Sequence, residues 1–156
     1  MRTSVQAYKP IAMHWSRQTG VPAGLILAVI EQESGGNPAA IRFESDYLRR
    51  YVFGNKRNLK IAHECGLTPE QMATSYGLMQ LMFPLAYGYG ARSIADLLDA
   101  NKNIRFGTAH LMVLLKKNGG NIREAAGAYN GAGDGSSYAR NVEALAGEYE
   151  RWVTNG

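Results

Sequence analysis

The chain has 156 residues, 46% of them hydrophobic and 19% charged, an ordinary balance for one globular domain with enough length for a real core. Its net charge of +4 and pI of about 9.3 favour approach to anionic surfaces. The basic residues form no single block, at most the pairs Arg49-Arg50, Lys56-Arg57 and Lys116-Lys117, so no nucleic-acid-binding module is recognisable and nucleic acid is not an expected partner. The single Cys65 excludes an internal disulfide, and no apolar run reaches the roughly 18 residues of a membrane span.

In chain order the sequence reads as helix after helix. Residues 4–18 form a helix up to a stop at Gly20, with Trp15 as a packing anchor. Pro22 suits the first turn of a second helix, which Gly35-Gly36 ends. That helix carries the most informative stretch, Ile26-Leu27-Ala28-Val29-Ile30-Glu31-Gln32-Glu33-Ser34. Helical spacing sets Glu33 on the face of Val29 and Ile30, whereas Glu31, about 200° around the axis, points away. On an apolar face at a helix C-terminus, desolvation and the helix dipole both disfavour an ionised carboxylate. A glutamic acid that keeps its proton near neutral pH can donate it to a leaving-group oxygen, as the acid of a sugar-cleaving enzyme does. Taken alone, Glu33 also reads as a solvated residue near a helix end.

Asn37-Pro38 opens a loop, and 44–54 is expected as a helix with Tyr47, Leu48 and Tyr51 on one side. Alternating patterns are scarce, and a small β-hairpin is expected only in the 52–62 region. His63-Glu64-Cys65 does not make a metal site, because structural zinc takes four ligands and only His14 and His110 remain. Thr68-Pro69-Glu70-Gln71 reads as a cap and first turn, and Ser93-Ile94-Ala95-Asp96 as a short helix start near a capping box. Asn101–Lys117 is the longest helix. Its apolar residues run almost all the way round, so it is expected at the centre with His110 as a core residue. Asn121 caps a helix through Tyr129, and Ser136 or Ser137 starts a terminal helix to about Val153, where Trp152 is a second anchor. Tyr87 and Tyr89, set among glycines, either line a groove or pack a turn.

Three separated pieces stand out: Glu33-Ser34, then Ser75-Tyr76-Gly77-Leu78-Met79-Gln80-Leu81-Met82, then Ala128-Tyr129-Asn130-Gly131. Together and in this order they resemble the lytic transglycosylases of the soluble (SLT) type, relatives of goose-type lysozyme, over roughly residues 22–145. The resemblance implies a mainly α, lysozyme-like single domain over 1–156. It implies cleavage of the β-1,4 bond between N-acetylmuramic acid and N-acetylglucosamine in peptidoglycan, with no cofactor and no metal. Glu33 would protonate the glycosidic oxygen and then act as base, while the muramyl 6-hydroxyl attacks its own anomeric carbon to leave a 1,6-anhydro end. No second catalytic carboxylate is then required.

The other motif residues, Ser34, Ser75, Gly77, Met79, Gln80, Met82, Tyr129 and Asn130, are the substrate-binding candidates that the resemblance implies. Gly77 lets backbone approach a sugar closely. Gln80 offers a donor and an acceptor to an acetamido group. Met79 and Met82 supply apolar walls or fill core, with Met82 the better wall. Tyr129 stacks or hydrogen-bonds near Glu33, and Asn130 bonds substrate or loop backbone. Ser34 is better suited to fixing the helix end than to touching substrate.

Three departures from the family pattern bear on the chemistry. Residues 40–74 form a long insertion in which Glu44 or Asp46 would reach the cleft as a second carboxylate, admitting a goose-type hydrolysis with a water nucleophile. Phe83 intrudes between Met82 and Pro84. Asp134, four before Tyr138, stands where the family often has a Glu-Thr-x-x-Tyr pattern, which leaves both as supporting candidates only. A non-catalytic wall-binding module is the remaining rival. The expected partner is the peptidoglycan glycan strand, met by a monomer without membrane insertion. Residues 1–10 lack the apolar core of a signal peptide. Synthesis in the cytoplasm and action on the bacterial wall is therefore the expectation, as for a phage endolysin, a virion or a secretion-machine component.

Overall fold

The computed structural model describes residues 1–156. Helices α1 (Thr3–Gln6) and α2 (Lys9–Thr19) stand where one helix over 4–18 is expected. A continuous helix would need Pro10 to donate to the Gln6 carbonyl, and proline has no N–H. Helix α3 (Ala23–Ser34) is buried on every side from Ala23 to Ile30 and closes at Gly35, whose N–H donates to the Glu31 carbonyl. Strand β1 (Ile41–Phe43) leads into α4 (Ser45–Tyr47), which continues as a π-helical turn over Leu48–Val52. Helix α5 (Lys56–Cys65) is capped by the Asn55 side chain and ended by Gly66. It occupies most of the 52–62 region in place of the hairpin expected there. Asn58, Ile61 and Ala62 are buried at helical spacing, and the cap and stop both favour a helix.

Helix α6 (Pro69–Met72) follows a complete Thr68/Gln71 capping box. Then come β2 (Thr74–Tyr76), β3 (Leu81–Met82), α7 (Phe83–Gly88), α8 (Ile94–Leu98) and α9 (Ala100–Lys117). Last are α10 (Ile122–Asn130) and α11 (Ser137–Asn155). Side chains of Ser93, Asp99, Asn121 and Ser136 cap α8 to α11 in turn. The fold is mainly helical with one small antiparallel sheet.

The central helix is α3, not the 101–117 helix. Along α9 one face is buried (Ile104, Gly107, Thr108, Leu111), while Met112, Val113 and Leu115 stay partly exposed. Helix α11 packs along α3, α10 packs between α9 and α11, and α2 lies across α3 and α9. Gly24 makes the α3–α11 approach possible, since a Cβ there would stand 2.4 Å from the Ala146 carbonyl oxygen. Glu150 of α11 also accepts from the Gly24 N–H at 2.6 Å, so one helix caps the other. Fully buried Leu25, Ile26, Leu27, Ile30, Leu78, Met79 and Phe83 join the core at these contacts, each contributing about 1.5–3 kcal/mol.

The sheet runs β1-β2-β3, with Arg42 opposite Ser75 and Ser75 opposite Met82. These three form one cross-strand row on one face; Ile41, Tyr76 and Leu81 form the row on the other. The long insertion leaves and rejoins the body through this pairing, which is closed at its base by Gly77 N–H to the Ala40 carbonyl (2.7 Å) and by Glu44 N–H to that of Ala73 (2.8 Å).

Candidate active site

Glu33 comes from the last turn of α3, where the buried helix meets an open cleft of about 470 Å³. One carboxyl oxygen, Oε1, accepts a hydrogen bond from the Tyr138 hydroxyl at 2.7 Å. Burial raises the Glu33 pKa above its ordinary 4.5. The Tyr138 hydrogen bond and the Arg42 charge pull it down, and the Glu44 charge pushes it up again. Desolvation dominates this balance. Glu31 turns to the opposite side, where Tyr149 donates to it and the Arg2 N–H reaches it at 3.0 Å. Two carboxyls two residues apart therefore serve unrelated places, as their angular separation on the helix requires.

The cleft floor is the cross-strand row Arg42, Ser75 and Met82, joined by Gln80, Tyr129 and Asn130. The Ser75 hydroxyl lies 3.2 Å from Gln80 Oε1 and 3.3 Å from the Arg42 carbonyl. Gln80 holds a left-handed backbone at φ 52°, and its amide donates to the carbonyls of Ala40 (3.1 Å) and Gly77 (2.9 Å). That amide nitrogen is thus taken by the turn.

Three further substrate-binding candidates also face inward. Gly77, at φ 78°, approaches protein rather than sugar: a Cβ there would meet Asn103 Nδ2 and the Leu97 carbonyl, each at 2.4 Å. Met79 is fully buried in the core. The Ser34 hydroxyl donates to the Leu78 carbonyl at 2.8 Å, fastening the helix end to the motif loop.

Two side chains from distant helices complete the clamp on that loop. The Tyr129 hydroxyl donates to the Met79 carbonyl at 2.6 Å. Buried Asn103 of α9 accepts from Met79 N–H at 2.9 Å and donates to the carbonyls of Tyr76 (2.9 Å) and Leu97 (2.8 Å). Asn103 was not among the expected residues. Its signal in sequence is an amide three and four positions before Phe106 and Gly107, on the buried face of the helix.

The insertion supplies the facing wall of the cleft: Glu44, Asp46, Tyr47, Arg50 and Tyr51. Arg42 pairs with Glu44 at 3.1 Å, and Arg49 pairs with Asp46. Asp134 does not join Glu33. It lies on the exposed loop before α11, in a separate hollow with Asn118 and Glu124. His110 is half-buried between Tyr89 and Tyr129, with its Nδ1 3.1 Å from the Tyr89 hydroxyl, and burial lowers its pKa. No group of three or more His, Cys, Asp or Glu side chains stands together, and no helix is long and apolar enough to cross a membrane.

The arrangement presents one desolvated carboxyl, held at a fixed angle, to a cleft floored by hydroxyl, amide and thioether groups. Such a carboxyl can deliver a proton to a bound ether oxygen. The family model described as the transglycosylase SLT domain matches residues 10–152 of the chain. No curated protein matches it.

Proposed function

The chain belongs to the transglycosylase SLT domain family, which cleaves glycosidic bonds of peptidoglycan, and from that premise we propose that Glu33 drives a lytic transglycosylation at the β-1,4 bond between N-acetylmuramic acid and N-acetylglucosamine. The protonated carboxyl gives its proton to the glycosidic oxygen as the bond to the muramyl anomeric carbon breaks. The resulting carboxylate takes the proton of the muramyl 6-hydroxyl, whose oxygen closes onto that carbon. The product is a 1,6-anhydromuramyl end, and no water is consumed.

The observation that carries this reading is the raised pKa of Glu33 beside an open cleft, with Tyr138 on Oε1. The hydrogen bond fixes the carboxyl plane and leaves Oε2 without a protein partner, available to the saccharide. Met82 offers the sugar an apolar wall, and Asn130 lines the same cleft with a polar side chain. Mass spectrometry of the products on purified walls tests the reading: transglycosylated ends are one water lighter than hydrolysed ends. Glu33→Gln, which has no carboxylic proton to give, is expected to abolish both.

A second reading is hydrolysis, with Glu44 activating water. It is favoured by one observation, that Glu44 lines the cleft of Glu33 closely enough for its charge to act on that carboxyl. The Arg42 guanidinium already occupies Glu44, which weakens it as a base. Hydrolysed ends from the wild type, lost in Glu44→Gln, would select this reading over the first.

A further inference from the structure

We propose that the cleft wall built by residues 41–65 recognises the acidic stem peptide of peptidoglycan, through the guanidinium groups of Arg50 and Arg57. The inference rests on the peptidoglycan-cleaving reading and adds a second recognition element to it. Residues 41–65 hold six of the chain's Lys and Arg against three Asp and Glu, so +3 of the net +4 sits in this one wall. Within the wall the charges are unequally matched. Arg42 and Arg49 are neutralised by Glu44 and Asp46, whereas Arg50 and Arg57 make no ion pair, and the only side-chain partner of Arg57 is Asn58 Oδ1 at 3.3 Å.

Both unmatched arginines face hollows. Arg50 lines the cleft that holds Glu33. Arg57 lines an adjoining hollow of about 560 Å³, bounded by Asn55, Asn58, Leu85 and Tyr89, and the two hollows share Tyr47 as their common rim. A neutral N-acetylated glycan offers nothing to a guanidinium beyond ordinary hydrogen bonds. The peptide borne on the muramyl lactyl group does, because it carries free carboxylates next to the bond being cut. A guanidinium receives a carboxylate through two parallel N–H donors, which gives direction as well as attraction. The muramyl ring at Glu33 would then be held at two points, its glycan in the cleft and its peptide along the arginine wall.

The test uses three purified glycan substrates: strands with intact stem peptides, strands stripped of peptide by an amidase, and strands whose peptide carboxyls have been chemically amidated. Wild type is expected to show kcat/KM about tenfold higher on intact strands than on either of the others. Arg50→Ala/Arg57→Ala should bring that ratio near one, and Arg50→Lys/Arg57→Lys should keep part of it. Lys116→Ala/Lys117→Ala, which removes equal charge from the far end of α9, should keep all of it. Equal cleavage of all three strands by wild type would overturn the inference while leaving the enzymatic reading intact. Preference for amidated strands equal to that for intact ones would assign the effect to peptide bulk and overturn it too. A preference that survives in the double alanine variant would remove it from these arginines. Competition by inorganic phosphate but not by a soluble acidic peptide would reassign the wall to a phosphate polymer. Failure to cleave any strand would refute the function itself.

Discussion

Tyr138 on α11 and Glu33 at the end of α3 are 105 positions apart in sequence and joined by a 2.7 Å hydrogen bond. The phenol is itself deeply placed, and burial together with the neighbouring Glu33 charge pushes its pKa far up, so it stays a donor at every working pH. The bond opposes the desolvation of Glu33 and holds the carboxyl plane. Tyr138→Phe is therefore expected to raise the Glu33 pKa further and to lower kcat about tenfold, the equivalent of one hydrogen bond of about 1.4 kcal/mol. The pH–rate profile on purified walls checks both: its alkaline limb should move to higher pH. An unmoved limb would mean that the phenol does not govern the acid.

Arg42 and Glu44 act on Glu33 with opposite signs. The general acid works protonated, so activity falls as pH rises through the Glu33 pKa. Arg42→Ala removes a cation that favours the carboxylate and should shift that fall to higher pH. Glu44→Gln removes an anion that disfavours it and should shift the fall to lower pH. Shifts in the same direction for both variants would contradict the placement of the pair beside Glu33.

Glu33→Gln should reduce wall lysis by about a thousandfold, the scale of lost general acid catalysis. It should also change stability in a pH-dependent way. A buried carboxyl with a raised folded pKa favours the protonated form, so wild-type stability declines as pH rises from 4.5 through the folded value and then levels. The neutral amide escapes that decline. Thermal melts should show the variant gaining on wild type between acid and neutral pH, with the gain absent below about pH 4. A stability difference that does not vary with pH would show that burial does not set the Glu33 pKa.

Asn103→Leu keeps the volume of the buried amide but removes its three hydrogen bonds, two to the motif loop and one to the Leu97 carbonyl of α8. Leaving one N–H and two carbonyls short of partners should cost about 3 kcal/mol or more, read as a lower urea midpoint at unchanged slope. Activity should fall in the surviving folded fraction, because Met79 and Gln80 lose their anchor.

The side of α3 that Glu33 takes was legible because Glu33 follows Val29 and Ile30 at helical spacing, whereas Glu31 stands two residues away on the opposite side. The sheet was not, since its strands are three, three and two residues long and cannot display a period of two. Within the Ser75–Met82 motif the chemistry of the side chains misleads. Gly77 and Gln80 look suited to a sugar, yet each meets a need of the turn itself, a left-handed backbone in both and an amide that ties the Ala40 and Gly77 carbonyls together in Gln80. Sequence names such groups but does not say which partner reaches them first. Tyr138 and Asn103 reach the site only through helix packing, which a reading of one chain segment at a time does not contain.

The segment from Ile41 to Thr74 leaves and rejoins the helical body beside one short antiparallel pair, and Val52, Ile61, Ala62 and Met72 seat it on the common core. Glu33 and Tyr138 belong to the body, while Arg42, Glu44 and the unmatched arginines belong to the excursion. Recharging that excursion at Arg42 or Glu44 therefore retunes the Glu33 carboxyl from outside the helical body.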